Sequence, residues 1–261
     1  MDKLKVTAVS YLNTKPFLYG LLNHPIAEQL ELSLDIPSAC ADKLQKGTAD
    51  LGLVPVAIIP HLDTPHIISD YCIGAVGAVK TVCIFSDSPI TEIKELLLDY
   101  HSRTSVELAK ILIAKHWKVA PKISPATPGF EKQLKKGQAA VVIGDRTIDL
   151  FDHYRYHYDL GEGWMDYTGL PFVFAAWVSN KPLAPEFVTA FNEALQSGLN
   201  HIPELIYLLP TPDKGFDLDK YFNQYISYNL DANKRKALAR FLKEINSPPQ
   251  PTLAKSLPLS L

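Results

Sequence analysis

Apolar runs of strand length alternate with stretches of helical spacing from the first residues onward. "KLKVTAVSYL" is β-branched and apolar and predicts a first strand, and "FLYGLLNHP" predicts a short helix stopped by Pro25. "LELSLDIP" alternates apolar and polar residues as a second strand, and "ACADKLQKG" reads as a helix ending at Gly47. "ADLGLVPVA" is a third, buried strand, interrupted by Pro55 at its carboxyl end. This succession of strands and helices is the opening of an α/β protein.

The pattern then repeats itself. "LQKGTADLGLVPV" (44–56) and "LKKGQAAVVIGDR" (134–146) share Leu, Lys, Gly and Ala at matching positions, and each runs from helix end to glycine to apolar strand to polar turn. Chance likeness between two helix-turn-strand units is one explanation. The other is two lobes on a common plan, each presenting a strand-end loop to a shared cleft. Ligands of open α/β sheets bind beyond the carboxyl ends of strands, so 54–56 and 144–146 become site candidates by geometry.

Two further strands fit between and after these units. "VKTVCIFSDSPI" predicts a strand over about 79–85 that carries the chain from one lobe to the other, and "GLPFVFAAWVSNKP" one that carries it back. The expected division is a discontinuous first lobe, 1–82 plus 178–261, and a second lobe, 83–177. The segments from Ala184 to Leu209 and from Asp217 to Ile245 have apolar residues at helical spacing and should pack on the first lobe. The proline-rich tail, 246–261, should run extended over it.

Composition acts mainly by exclusion. A net charge of −2 over 261 residues offers no basic field for nucleic acid and no polybasic membrane anchor, which points to a small molecule as the partner. No stretch reaches the roughly 20 apolar residues of a membrane span, and the lead-in lacks the apolar core of a secretory signal, so a cytoplasmic location is expected. Cys40, Cys72 and Cys83 are odd in number and have no C-x-x-C spacing, so buried, reduced thiols are expected.

Candidate chemistry is sparse. Thr104 and Glu107 fit an S/T-x-x-E capping box, which predicts a helix from about Ser105. Its free N–H groups, with the hydroxyls of Ser102, Thr104 and Ser105, would either cap the helix only or hold an anion. His153 and His157 in "DHYRYHYD" are four apart, but without an H-E-x-x-H pattern a solvated aromatic edge is the expectation rather than a metal pair. There is no G-x-S-x-G elbow, P-loop or G-x-G-x-x-G. Trp177 and Tyr11 could pack on a planar ligand, although aromatic residues in buried strands are usually core. Asn13, at the end of the first strand and before Thr-Lys-Pro, either terminates the strand or projects its amide into a site.

"VSYLNTKPFLYGL", with "ADLGLVPVA", "VKTVCIFSDS", "SRTSVELAKILI", "VVIGDRTI" and "DLGEGWMDYTGLPFVFAAWVSNK", resembles the chorismate dehydratase family of the futalosine route to menaquinone, over essentially the whole chain. The Tyr-Leu-Asn opening followed by Pro16, and "TGLPFVFAAW", are its most specific parts. The resemblance implies a two-lobed type II periplasmic-binding-protein-like fold with two crossing strands and a ligand cleft between the lobes, working as a cytoplasmic hydro-lyase without metal or organic cofactor. The substrate it implies is chorismate, converted to 3-[(1-carboxyvinyl)oxy]benzoate and water; oligomeric state is left open. Carried across by position, the catalytic residues are Asn13 and Thr81, where the family more often has serine. The implied substrate-binding residues are Ser10, Tyr11, Pro55, Ser102, Thr104, Ser105, Gly144 and Asp145. The C3 proton would pass to the substrate's own enolpyruvyl carboxylate or to Asp145. Two rivals stay open: a non-catalytic small-anion-binding or sensing protein of the same fold, and the sibling 1,4-dihydroxy-6-naphthoate synthase, whose opening differs.

Overall fold

The computed structural model describes residues 3–210, 212 and 215–246. In chain order the first elements are β1 (Leu4–Val9), α1 (Lys15–Asn23), β2 (Leu30–Asp35), α2 (Pro37–Gln45), β3 (Leu51–Pro55) and β4 (His66–Ala75). There follow β5 (Val82–Ser86), β6 (Glu95–Leu98), α3 (Thr104–Ile111), β7 (Lys122–Pro125), β8 (Gln138–Ile143), β9 (Tyr156–Asp159) and α4 (Leu160–Thr168). The last are β10 (Phe172–Ser179), α5 (Pro185–Asn200), α6 (Ile202–Leu208), α7 (Leu218–Lys220), β11 (Ser227–Asn229) and α8 (Ala232–Asn246).

The strands form two sheets, in the orders β11-β4-β10-β3-β1-β2 and β7-β6-β8-β5-β9. Both contain the same pattern. In the first, β1 lies parallel to β2 and β3, and β10 runs antiparallel between β3 and β4. In the second, β6 lies parallel to β7 and β8, and β5 runs antiparallel between β8 and β9. The antiparallel strand of each sheet is the first one laid down after the chain arrives from the other.

That arrangement corrects one detail of the sequence reading. β10 pairs only with β3 and β4, so the return crossing precedes Phe172 and runs through α4 instead of lying within the strand. The outward crossing is the non-strand segment 76–81, ahead of β5. The strand β4 was not expected, nor was the short β11 within the C-terminal helical region. Nor does a helix run up to Gly137: after the short 3-10 turn Phe130–Lys132, residues 133–135 are irregular and 136–137 form a turn. The tail beyond Asn246 lies outside the described residues.

Burial follows from composition. All eight residues of β10, "FVFAAWVS", are buried, as are all five of β5 and of β3, which makes these the central strands the apolar runs require. Trp164, Trp177, Phe172, Phe191 and Phe241 are fully buried, each contributing about 3 kcal/mol by removal from water. The three cysteines are free and buried, and burial pushes the thiols of Cys40 and Cys72 up to about 11 and about 12, so they are inert packing groups.

Asp159 joins the two crossings. Its carboxylate accepts the N–H groups of Val79 (3.0 Å) and Lys80 (2.7 Å) on the outward crossing and of Gly161 (2.9 Å) and Glu162 (3.1 Å) at the start of α4. Burial still raises its pKa against those four donors.

Candidate active site

The carboxyl ends of β1, β3 and β8 and the start of α3 converge on a cavity between the sheets, the place where open α/β sheets bind ligands. Eight of the ten residues expected at a site line it: Tyr11, Asn13, Pro55, Thr81, Ser102, Thr104, Ser105 and Gly144. Val9, Ile73, Val79 and Phe174 supply apolar walls. Ser10 is not among the lining residues; it is exposed, and its N–H continues the β1–β2 ladder to Asp35 (2.9 Å). Asp145 is not a lining residue either. Its two carboxylate oxygens accept the Leu12 N–H at 3.2 and 3.1 Å, so it caps the turn that carries Asn13 from behind, and burial raises its pKa.

Asn13 sits in the 3-10 turn Leu12–Thr14, between the end of β1 and Pro16 in the first turn of α1. Proline there fits the helix start, and the turn aims the amide where the strand's direction leads. The Asn13 carbonyl accepts the Tyr228 hydroxyl (2.9 Å), and its Oδ1 accepts the Thr14 hydroxyl (3.2 Å). Thr81 is buried, and its Oγ1 lies 3.0 Å from the hydroxyl of Tyr221, itself fully buried. The Gly144 N–H donates to the Thr81 carbonyl (2.8 Å), which ties the outward crossing to the end of β8.

At the start of α3, the Ser102 hydroxyl accepts the Ser105 N–H (3.0 Å), and the Thr104 hydroxyl accepts the Ala57 N–H from the 3-10 turn after β3 (3.1 Å). The capping role thus falls on Ser102 rather than Thr104, and Glu107 pairs with Lys110 at 2.8 Å instead of closing a capping box. A hydroxyl that has accepted an N–H keeps its own proton to donate. The cavity therefore meets a row of hydroxyl and amide donors.

Tyr11 closes the wall over Gly144. A Cβ at Gly144 would stand 2.6 Å from the Tyr11 ring, and the residue has φ +70°, so glycine is required twice over. The Tyr11 hydroxyl lies 2.6 Å from His101 Nδ1, and burial raises its pKa. Burial, then the charge of Arg146, lowers that of His101, leaving a neutral imidazole beside the phenol. Arg146 pairs with the buried Asp99, which also accepts the N–H groups of His101 and Ile143 at 3.0 Å. Burial pushes Asp99 up, with Arg146 opposing.

Tyr221, Tyr228 and His101 were not expected at the site, while Arg146, a candidate by its strand-end position, pairs with Asp99 and is not among the lining residues. The only signal for the first two is tyrosine in "DKYFNQYISYNL" at positions where a buried helix face would take phenylalanine. His153 falls in a turn and His157 on β9, and among the described residues no group of three His, Cys, Asp or Glu could hold a metal. No helix among them is long and apolar enough to cross a membrane.

Solved structures with this arrangement include a protein of Archaeoglobus fulgidus (TM-score 0.69, 16% identity, covering 93% of this chain and 96% of that one). A Candida albicans protein described as having the generic periplasmic binding protein fold aligns with TM-score 0.63 and 11% identity, over 96% and 92% of the two chains. Among curated relatives, the chorismate dehydratase of Thermus thermophilus is 26% identical over 190 residues, 65% of this chain and 69% of that protein. That of Campylobacter jejuni is 29% identical over 155 residues, 56% of this chain and 66% of the relative. The menaquinone biosynthesis family model matches residues 4–247. With the two-sheet fold and a cavity at its strand ends, the chain is a member of the menaquinone biosynthesis family.

Proposed function

We propose that this chain is a chorismate dehydratase, a hydro-lyase that removes the C4 hydroxyl and C3 hydrogen of chorismate to give 3-[(1-carboxyvinyl)oxy]benzoate and water. The observation that carries this reading is the cavity's chemistry: hydroxyls and an amide on apolar walls, with no carboxylate, imidazole or ammonium among the lining residues. Such a site suits a reaction whose driving force lies in the substrate. Losing water turns a cyclohexadiene into a benzene ring, so the protein must mainly orient two carboxylates and meet the charge on the departing oxygen. The two dehydratase relatives support the same reading.

In this mechanism the α3 start, with Ser102, Thr104 and Ser105, takes one carboxylate, and Tyr11 flanks the ring. Asn13 donates to the C4 oxygen and Thr81 to that oxygen or to the second carboxylate. The C3 proton passes to the enolpyruvyl carboxylate of chorismate itself, because Asp145, the protein-side alternative, is engaged with the Leu12 N–H outside the cavity lining. The proton and the departing hydroxide leave as water. We assign the sheets to two lobes that divide within 76–81 and 160–171, and the site to their interface.

Incubation of the purified chain with chorismate, followed by chromatography, tests the reading. Formation of the aromatic enol ether supports it. Binding without loss of water would make the chain a ligand-binding protein, and turnover of cyclic dehypoxanthine futalosine instead would make it the sibling synthase. Asn13→Ala should lower kcat about 100-fold, the usual cost of deleting one donor to a developing oxyanion.

A further inference from the structure

We propose that Lys234 is a positioning residue: it fixes the short strand β11 so that the Tyr228 hydroxyl holds the Asn13 carbonyl, and with it the direction of the Asn13 side chain. The proposal rests on the dehydratase reading and adds to it a residue that lies outside the cavity lining.

Lys234 lies in the first turn of α8 and is 1% exposed. Lysine is almost never buried so fully unless it is paired. An ammonium has three protons to give and no lone pair. Here Nζ donates to Ser227 Oγ (2.7 Å), to the Asn229 carbonyl (2.7 Å) and to the Asp231 carboxylate (3.4 Å), so every partner lies within 227–231. The sheet leaves room for the stem: a Cβ at Gly74 of β4 would stand 3.1 Å from Lys234 Cε and 2.7 Å from the Phe172 carbonyl oxygen.

Between the two gripped residues of β11 lies the one its ladder leaves loose. Ser227 pairs with Gly74 and Asn229 with Tyr71, so Cys72 and Ile73 of β4 stand opposite Tyr228 alone. Such a bulge breaks the ladder locally, and Lys234 spans the break with one bond on either side. The Tyr228 ring lies edge-on to Phe17 of α1, with centroids 5.2 Å apart, and its hydroxyl reaches the Asn13 carbonyl at 2.9 Å. A carbonyl only accepts, so the phenol is the donor. Burial raises the Tyr228 pKa, which keeps that proton in place.

The Asn13–Thr14 peptide is thereby held at both ends, because its N–H, that of Thr14, donates to the Tyr11 carbonyl (3.1 Å). Asp145 holds the Leu12 N–H just before it. With the turn fixed before and after Asn13, the side chain leaves the backbone in one direction. An ammonium taken out of water adds little net stability even when fully paired. What this one supplies is geometry, and a donor misplaced by about 1 Å can cost about 100-fold in rate.

The test compares Lys234→Met in two backgrounds, wild type and Tyr228→Phe. Methionine keeps most of the stem without the ammonium, and phenylalanine keeps the ring without the hydroxyl. Expected with chorismate are kcat losses of about tenfold for Tyr228→Phe and about fivefold for Lys234→Met, KM changes below about threefold, and no further loss when the two are combined. Ser227→Ala, which leaves the lysine in place with one partner fewer, should show the same dependence in smaller measure, and it decides the matter if Lys234→Met does not fold. The amide cross-peak of Thr14 in a ¹H–¹⁵N NMR spectrum reads the Asn13 carbonyl without any substrate. It should move in Tyr228→Phe, move less far along the same line in Lys234→Met and Ser227→Ala, and stay in the double variant where Tyr228→Phe puts it. A kcat loss from Lys234→Met of equal size in both backgrounds is what a merely structural lysine would give and would overturn the proposal, as would an unchanged kcat or an unmoved Thr14 cross-peak. A wild-type protein inert toward chorismate would overturn the dehydratase reading, while the Thr14 cross-peak still decides whether Lys234 positions Asn13.

Discussion

The two similar half-units, 44–56 and 134–146, end up as equivalent strands of the two sheets: β3 between β10 and β1, β8 between β5 and β6. Both turn into the strand through a glycine of positive φ, Gly47 and Gly137. They differ in how they leave it. β3 runs on through Val54 to Pro55, which faces the cavity as a wall. At the positions matching Val54 and Pro55, the second unit has Gly144 and Asp145. β8 stops at Ile143, Gly144 turns left-handed under the Tyr11 ring, and Asp145 reaches across to the Leu12 N–H. A repeated scaffold therefore supplies one passive face and one that grips the opposite sheet, and two residues decide which is which.

The largest effect should come from removing that difference at its centre. Gly144→Ala forces a Cβ into the left-handed region and against Tyr11, at a cost of about 2–3 kcal/mol, with a lower Tm and chorismate turnover reduced at least tenfold. Asp145→Ala should cost about 1–2 kcal/mol by leaving the buried Leu12 N–H unpaired, seen as a lower denaturation midpoint. Its kcat should fall more than its KM rises, since the Asn13 turn loosens.

Smaller effects should separate the units by pH. At the start of β6, opposite Gln138 at the start of β8, Glu95 accepts from Ser124, Gln138 and Lys122, which hold its carboxyl down at about 2. Just before β3, burial opposes ionisation of Asp50, but the Lys5 N–H and Lys181 outweigh it and lower the pKa. Depressed carboxyls stabilise the fold above their unfolded pKa values, and that stability is lost as pH falls through the folded ones. Glu95→Gln and Asp50→Asn should thus lower Tm at pH 7, Glu95→Gln more. The Glu95→Gln deficit should close between about pH 4.5 and 2, as read by thermal melts across pH. Pro55→Ala should be the mildest change, about 0.5 kcal/mol through a freer unfolded chain, with turnover within about threefold of wild type.

What could be read from sequence divides along the same lines. Alternation and apolar runs located β1, β2, β3, β5, β8 and β10, and the rule that strands deliver their ends to a cleft points to Asn13, Pro55 and Gly144, which line the cavity. β4 escaped because Ser69, Asp70 and Gly74 break the pattern in "HIISDYCIGA", and β11 because three residues are too few to show a period. Asp145 was recognised as a residue of interest but assigned to the ligand, since nothing local reveals that its nearest donor is Leu12, 133 residues away. Tyr221 and Tyr228 were invisible for that reason: their contacts span 140 and 215 residues, and a tyrosine hydroxyl has meaning only once its partner is beside it.

Asp159 has a consequence for the wall of the cavity. By stapling 79–80 to 161–162 it gathers the two passages of the chain between the sheets onto one carboxylate. Thr81, the residue after the staple, is fastened on its other side by the Gly144 N–H on its carbonyl. Two stretches of chain about 80 residues apart are thus knotted beside the hydroxyl that Thr81 gives the cavity, and its backbone is anchored by the fold alone.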